Sequence, residues 1–363
     1  MLNGVKNEYR PDYASSPGEI LEETLDARGI RKKDFAERCG LSAKHIHQII
    51  RGEASVTPDT AILFERVLGI DSQIWNNLEA NYRSCKARQM ANEKAEGLFE
   101  WSRRFPVKEL VDRGFIEQPR NEGHAVEYLL RFFGVASMEA WNVKYGSMVV
   151  SYRHSPSFSS ETESLAAWFR IGELLAQRID TEPYDRVRFK QALSEIRSFT
   201  SHGPEDFVPE MKELCRRAGV VVIFVRAFPK THVSAATRWL NRDKALIQLS
   251  LRHNTDDHFW FSFFHEGAHI LLHGKKNVFV DGPSDDSIAE VQANNFTANI
   301  LIPLQRYRLF TGKGILTGSS MSLFAESIGI APGIVVGRLQ HDRKLGFNQH
   351  NGLKVRFELN QDG

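Results

Sequence analysis

The stretch from Phe259 to Gly274 constrains this chain more than any other. It reads Phe259-Trp260-Phe261-Ser262-Phe263-Phe264, then His265-Glu266-Gly267-Ala268-His269, then Ile270-Leu271-Leu272-His273-Gly274. So dense a set of apolar residues predicts a helix buried on most sides. Yet the stretch carries His-Glu-x-x-His. At 3.6 residues per turn, His265 and His269 lie one above the other on one face, close enough to share a metal ion. Glu266 lies next to that face, where a carboxylate can take a proton from an activated water. Polar groups in such a helix need a reason. The bland alternative is two satisfied core histidines and a surface glutamate. Gly274 stands where a C-cap glycine would end the helix.

A catalytic zinc usually has three protein ligands. His273 is eight residues from His265, about 12 Å along a continuing helix, too far for both to meet one ion. A pattern with Gly three and His six positions after His269 is ruled out, because Leu272 and Lys275 stand there. After a polar loop, Lys275 to Ser287, a helix from Ile288 to Leu301 is closed by Pro303. Glu290, Ala293, Asn294, Thr297 and Ala298 share a face of it. The small residues permit close helix approach, so Glu290 can complete a His, His, Glu site, and Asn294 can hold a ligand imidazole through its free N–H. Tyr307 is a possible partner for a developing oxyanion.

Upstream, Pro209 to Ala218 reads as a helix ending at Gly219. Val220 to Val225 is a continuous, mostly β-branched run and hence a buried strand. Val233 to Trp239 and Ala245 to Ser250 are further strands around the turn cluster Asn241-Arg242-Asp243. Together they predict a short mixed sheet, with Ala245 to Ser250 either the edge that pairs with a peptide or an ordinary strand of the sheet. Met321 to Gln340 has the shape of a second helix-turn-helix, read as packing or docking rather than DNA contact.

The first part of the chain follows another grammar. Residues 1–15 read as a loose tail. Ser16 caps and Pro17 opens a helix with the stripe Ile20, Leu21, Thr24 and Leu25, ended by Gly29. A second helix runs from about Arg31 to Arg38. Cys39-Gly40-Leu41-Ser42 then supplies a glycine turn, an apolar plug and an N-cap for a third, Ala43 to Ile50. This spacing predicts a helix-turn-helix whose recognition helix exposes Ser42, Ala43, Lys44, His45, His47 and Gln48, with Arg51 toward phosphate. From Arg28 to Arg51 seven basic residues face two acidic ones. The alternative is a helical protein–protein module. A fourth helix from Thr57-Pro58 carries Ala61, Ile62, Phe64 and Leu68, and a fifth from Ser72 carries Ile74, Trp75, Leu78 and Tyr82. The five helices occupy 16–83. A charged helical linker covers 84–104, and 105–205 is a helical middle without ligand spacing, where Arg153, His154 and Arg170 read as surface charge.

The whole chain, 363 residues with 42% hydrophobic and 25% charged, is of globular composition and long enough for two or three domains. A net charge of +2 leaves nucleic-acid binding to a local patch. There is no bilayer-length apolar run and no basic n-region before an apolar one, so a cytoplasmic location with no membrane partner is expected. Cys39, Cys85 and Cys215 have no Cys-x-x-Cys spacing, which predicts reduced structural thiols.

Two resemblances follow from these motifs. Pro-Gly-Glu-Ile-Leu at 17–21 and Arg-Gly-Glu-Ala-Ser-Val-Thr-Pro-Asp-Thr-Ala at 51–61 resemble the Xre/Cro-type regulators, in particular the HigA antitoxin branch, over roughly the first fifth of the chain. That implies a homodimer on a palindromic double-stranded DNA operator, repressing its own promoter. Residues 208 to about 345 are similar to the ImmA/IrrE metallopeptidases. They share His265-Glu266-x-x-His269, Glu290-x-x-Ala293-x-x-Phe296-x-Ala298 and Leu301-Ile302-Pro303. This resemblance implies Zn²⁺ on His265, His269 and Glu290, Glu266 as base, and a regulator or repressor protein as substrate in a stress, toxin–antitoxin or mobile-element context. The expected fold is mainly α with an α+β C-terminal part. A five-helix helix-turn-helix domain, a helical middle and a small zincin-like domain of gluzincin type at 206–345 precede a tail or strand at 346–363. The alternative is an antitoxin-like repressor whose zincin fold is non-catalytic and binds a partner.

Overall fold

Ser16 starts the first helix as its pattern requires: its hydroxyl accepts from the Glu19 N–H, and Glu19 accepts in return from the Ser16 N–H. In the computed structural model, residues 15–146, 162–250, 252, 255–273, 279–280 and 288–362 are described. Arg153, His154, Gly274, the 1–14 tail and most of the polar loop after His273 lie outside them. The chain forms two units, one ending at Phe99 and one beginning at Glu100.

The first unit holds five helices: α1 (Pro17–Ala27), α2 (Lys32–Cys39), α3 (Ala43–Ile50), α4 (Pro58–Leu68) and α5 (Ser72–Glu96). Leu21, Leu25, Phe35, Ile46, Ile49, Phe64 and Trp75 are buried in one core. The Phe64 ring lies 5.1 Å from Phe35 and 5.4 Å from Trp75. Gly40 takes a left-handed φ of 66° between α2 and α3, and Leu41 N–H donates to Ala36 O at 2.9 Å to close that turn. Two expected core residues are corrected. Ile62 and Ile74 are exposed, because α4 buries Thr60, Ala61, Phe64 and Leu68, and α5 turns Trp75 inward. The fifth helix runs on to Glu96, so most of the expected charged helical linker is its continuation.

In the second unit a sheet of order β1-β3-β2-β4 sits between helices. β1 (Val220–Phe224) is parallel to β3 (Lys244–Leu249), β2 (Ala235–Asn241) is antiparallel to β3, and the two-residue β4 (Phe279–Val280) is antiparallel to β2. Of the two readings of Ala245 to Ser250, the edge is thereby overturned and the ordinary sheet strand stands. β3 is central, with both its flanks hydrogen-bonded to neighbours, and cannot pair with a further chain. The short outer strand was hidden inside a polar loop.

Both sheet faces are buried, which is why Val220–Phe224 is apolar throughout. One face meets α6 (Thr162–Gln177) of the middle region. There Trp168 Nε1 donates to Val225 O at 2.7 Å, Gln248 Nε2 to Trp168 O at 2.7 Å and Arg238 to Phe169 O at 2.8 Å. On the other face Val220, Val222, Phe224, Ala245, Ile247 and Leu249 share a core with α7 (Arg186–Ile196), α8 (Pro204–Arg217) and α9 (Asp256–Leu272). Helices α10 (Ile288–Leu301), α11 (Leu304–Gly312), α12 (Gly318–Ile328) and α13 (Pro332–His341) complete the unit. The helical middle packs on the C-terminal part, where α6 and α7 cover the sheet and α9.

The last residues, expected as a tail or strand, pack into the second unit. Phe357 is buried between Phe207 and Phe259, with ring centroids 5.3 and 5.5 Å away. Asp362 accepts from Phe224 N–H at 2.8 Å and pairs with Lys212 at 2.7 Å. Only a single bridge, Thr255 to Arg356, has strand character among the described residues there. The second helix-turn-helix shape, α12 to α13, buries Gly333, Ile334, Val335, Val336 and Leu339 of its second helix. A Cβ at Gly333 would stand 2.3 Å from the Asp256 carboxylate, so glycine is what lets α13 close on the start of α9. No single helix among the described residues is long and apolar enough to cross a membrane.

Candidate functional site

Helix α9 brings His265 and His269 to one face because they are four residues apart, and most of its other residues are buried. Their Nε2 atoms are 3.0 Å apart. Helix α10 packs against it through Ala293 and Thr297, both fully buried, which continue the face that starts at Glu290. The Glu290 carboxylate sits 3.0 Å from His265 Nε2 and 3.2 Å from His269 Nε2. All three ligand atoms fall within 4.8 Å of one another. A tetrahedral zinc with bonds of about 2.0–2.1 Å sets its ligand atoms about 3.4 Å apart, so this donor set fits the ion in chemistry and in spacing.

Electrostatics agree with the geometry. Burial pushes the Glu290 carboxyl up, but the hydrogen bonds from both imidazoles outweigh it and hold it down at about 2. Burial lowers His269, against the pull of Glu290, and so favours the neutral imidazole that a metal requires. Glu266 is fully buried beside them, shielded from bulk water. Cys39 and Cys215 are buried, and burial pushes the Cys39 thiol up to about 11 and Cys215 higher still, away from the thiolate that binds metal.

His273 has a place that the sequence reasoning missed. The helix ends at Leu272, with His273 as its cap. Its Nδ1 lies 3.1 Å from the far nitrogen of His269, Nδ1, and its Nε2 lies 3.2 Å from Gln292 Oε1. The Gln292 carbonyl only accepts, so it sets the His273 proton on Nε2. His273 Nδ1 then accepts from His269 Nδ1–H, and His269 Nε2 keeps its lone pair for the cluster. Asn294, expected in that supporting role, is exposed on α10, because Ala293 and Thr297 take the inward positions. The available signal was the spacing of His273, four residues after His269. Tyr307 is held elsewhere, its hydroxyl donating to Asp342 at 2.8 Å.

In the first unit the Ser42 hydroxyl caps α3 by accepting from His45 N–H at 3.1 Å. Ala43, Lys44 and His47 are exposed on α3, as are Ser42 and Arg51 at its two ends, while His45 and Gln48 are half-buried. The helix buries Ile46 and Ile49, so its polar residues form the outer face.

Residues 21–75 match the helix-turn-helix family, and residues 215–326 match the IrrE N-terminal-like domain. Virulence-associated protein I of Dichelobacter nodosus is 36% identical over 77 residues, which span 21% of this chain and 71% of that protein. The chain belongs to the Xre-like helix-turn-helix family and carries an IrrE-like domain in its C-terminal part. The HTH-type transcriptional regulator YddM of Escherichia coli K12 is 29% identical over 73 residues, 20% of this chain and 78% of its own length. Among solved structures, the Pseudomonas aeruginosa antitoxin HigA with the higBA promoter is 28% identical, covering 23% of this chain and 94% of its own, at a TM-score of 0.22. These relatives align with about a fifth of this helix-turn-helix protein. The IrrE-like match is what accounts for the α9 and α10 region.

Proposed function

We propose that this chain is a DNA-binding transcriptional regulator joined to a zinc-dependent endopeptidase that cuts a regulator or repressor protein. The carrying observation is the cluster of His265, His269 and Glu290, two helices converging three ligand atoms inside an otherwise apolar core. A zinc ion on these residues would polarise the scissile carbonyl and acidify the attacking water. Glu266 receives that water's proton and delivers it to the leaving amine, and its burial keeps the proton from bulk solvent. His273 and Gln292 hold the His269 ring in the tautomer that directs Nε2 to the site. For the first unit, helix α3 enters the major groove of an operator, with Ser42, Ala43, Lys44, His45, His47 and Gln48 toward bases and Arg51 toward phosphate. The protein binds there as a homodimer, in the cytoplasm.

The test uses purified full-length protein co-expressed with candidate regulators. About one zinc per chain and a regulator fragment absent with Glu266→Gln are expected. A chain without divalent metal, or cleavage that survives Glu266→Gln, would sink the peptidase reading and leave a partner-binding fold. Operator binding should fall steeply with salt and disappear with Lys44→Glu, independently of Glu266.

A further inference from the structure

Away from the metal centre, a cleft of about 740 Å³ opens between the start of α9, the end of α13 and the segment after it. Arg252, Arg343 and Arg356 line it, together with Phe347 and the buried pair Asp257 and Lys354. Lys354 bonds Asp257 at 2.6 Å and Gln340 at 2.8 Å, so the one carboxylate of the lining is already neutralised. The three arginines are exposed and make no ion pair among the described residues. Nearby clefts differ. Arg103 and Arg104 are ion-paired to Glu100, Glu122 and Glu163. Arg113 donates to Arg226 O at 2.7 Å and lies 4.1 Å over the Phe228 ring. In the first cleft three guanidinium groups gather without an ion pair among the described residues, and one of them, Arg252, also borders the cleft of Arg113 and Arg226.

Two further features point to a ligand there. Phe347 is 77% exposed, a large apolar ring left in water at the cleft. Arg343 has a left-handed φ of 57°, a conformation glycine would adopt without strain. Clustered guanidiniums match closely spaced phosphate oxygens in fork geometry, and a bare aromatic ring matches the π-face of a base. The volume suits one small molecule. We propose that this cleft binds a nucleotide, its phosphates on Arg252, Arg343 and Arg356 and its base on Phe347. The proposal is independent of the metal centre.

The test is calorimetric titration of full-length protein with ATP, inorganic tripolyphosphate, adenosine and a short single-stranded deoxyoligonucleotide. ATP should bind with sub-millimolar affinity, and Arg356→Gln should weaken it at least tenfold, about the loss of one phosphate fork. Phe347→Ala should weaken ATP while leaving tripolyphosphate unchanged. Arg343→Gly should weaken ATP yet raise the melting temperature, a pairing that a purely structural arginine does not give. ATP that fails to saturate by about 10 mM overturns the proposal, as does ATP binding unchanged by Arg356→Gln. Tripolyphosphate binding as tightly as ATP removes the base from it. An oligonucleotide that binds more tightly than ATP and is lost with Arg356→Gln reassigns the cleft to nucleic acid and overturns the nucleotide reading.

Discussion

His273 shows how one side chain can matter to a metal site without reaching it. Its Nδ1 meets the far nitrogen of His269, and Gln292 settles which nitrogen of each ring carries the proton. Loss of such a supporting group typically costs about 10- to 100-fold in metal affinity. His273→Ala should therefore weaken zinc binding by about that factor while leaving the secondary structure intact. Competition with a chromophoric chelator reads the affinity directly, and an unchanged value would remove His273 from the site. The same residue marks the limit of helix geometry applied to sequence. Axial distance excluded it as a third ligand to the ion, but said nothing about the back of His269, because that depends on the helix ending at Leu272.

At the scale of elements, helix α9 has a second unusual feature at its start. Asp256 is fully buried where α13 closes on it. Burial and the neighbouring Asp257 raise its carboxyl from an ordinary 3.8 to about 6, although backbone N–H groups of Asp257 and Val355 and the charge of Lys354 pull it down. The folded state thus holds this proton more tightly than the unfolded chain. Its contribution to stability is whole below pH 3.8 and is lost as pH rises through about 6. Asp256→Asn keeps an acceptor for the same N–H groups and removes the titration. From pH 3 to pH 8 the stability difference should move in the variant's favour by about 2–3 kcal/mol. Denaturant unfolding at both pH values checks this, and a difference independent of pH would show that Asp256 titrates normally. Most of the element order was readable beforehand: β1, β2 and β3 appear within two residues of their expected starts, since β-branched runs and turn clusters are local signals. Strand order was not. That β3 lies between β1 and β2 depends on a parallel pairing across the β1–β2 connection, which no local pattern encodes.

At the scale of the whole molecule, the second unit is closed by its last residues. Phe357 fills a space between α8 and α9, and Asp362 ties β1 to Lys212. Phe357→Ala should cost about 3–5 kcal/mol, the usual loss for a buried phenylalanine. Calorimetry should show the transition of the second unit lowered and that of the first unchanged, and a drop in both would mean the units do not unfold separately. The sequence by itself determined the chemistry on offer. Spacing put His265 and His269 on one helix face, small residues at Ala293 and Thr297 let Glu290 approach, and Gly40 with Ser42 specified a turn and a capped helix. These depend on periodicity and backbone preference, which act over a few residues. The tertiary structure decided what met what: Glu290 on both imidazoles, His273 behind His269, β3 in the centre of its sheet and Phe357 in the core. Those contacts join residues far apart in sequence or turn on where a helix ends, so they depend on packing rather than on local pattern.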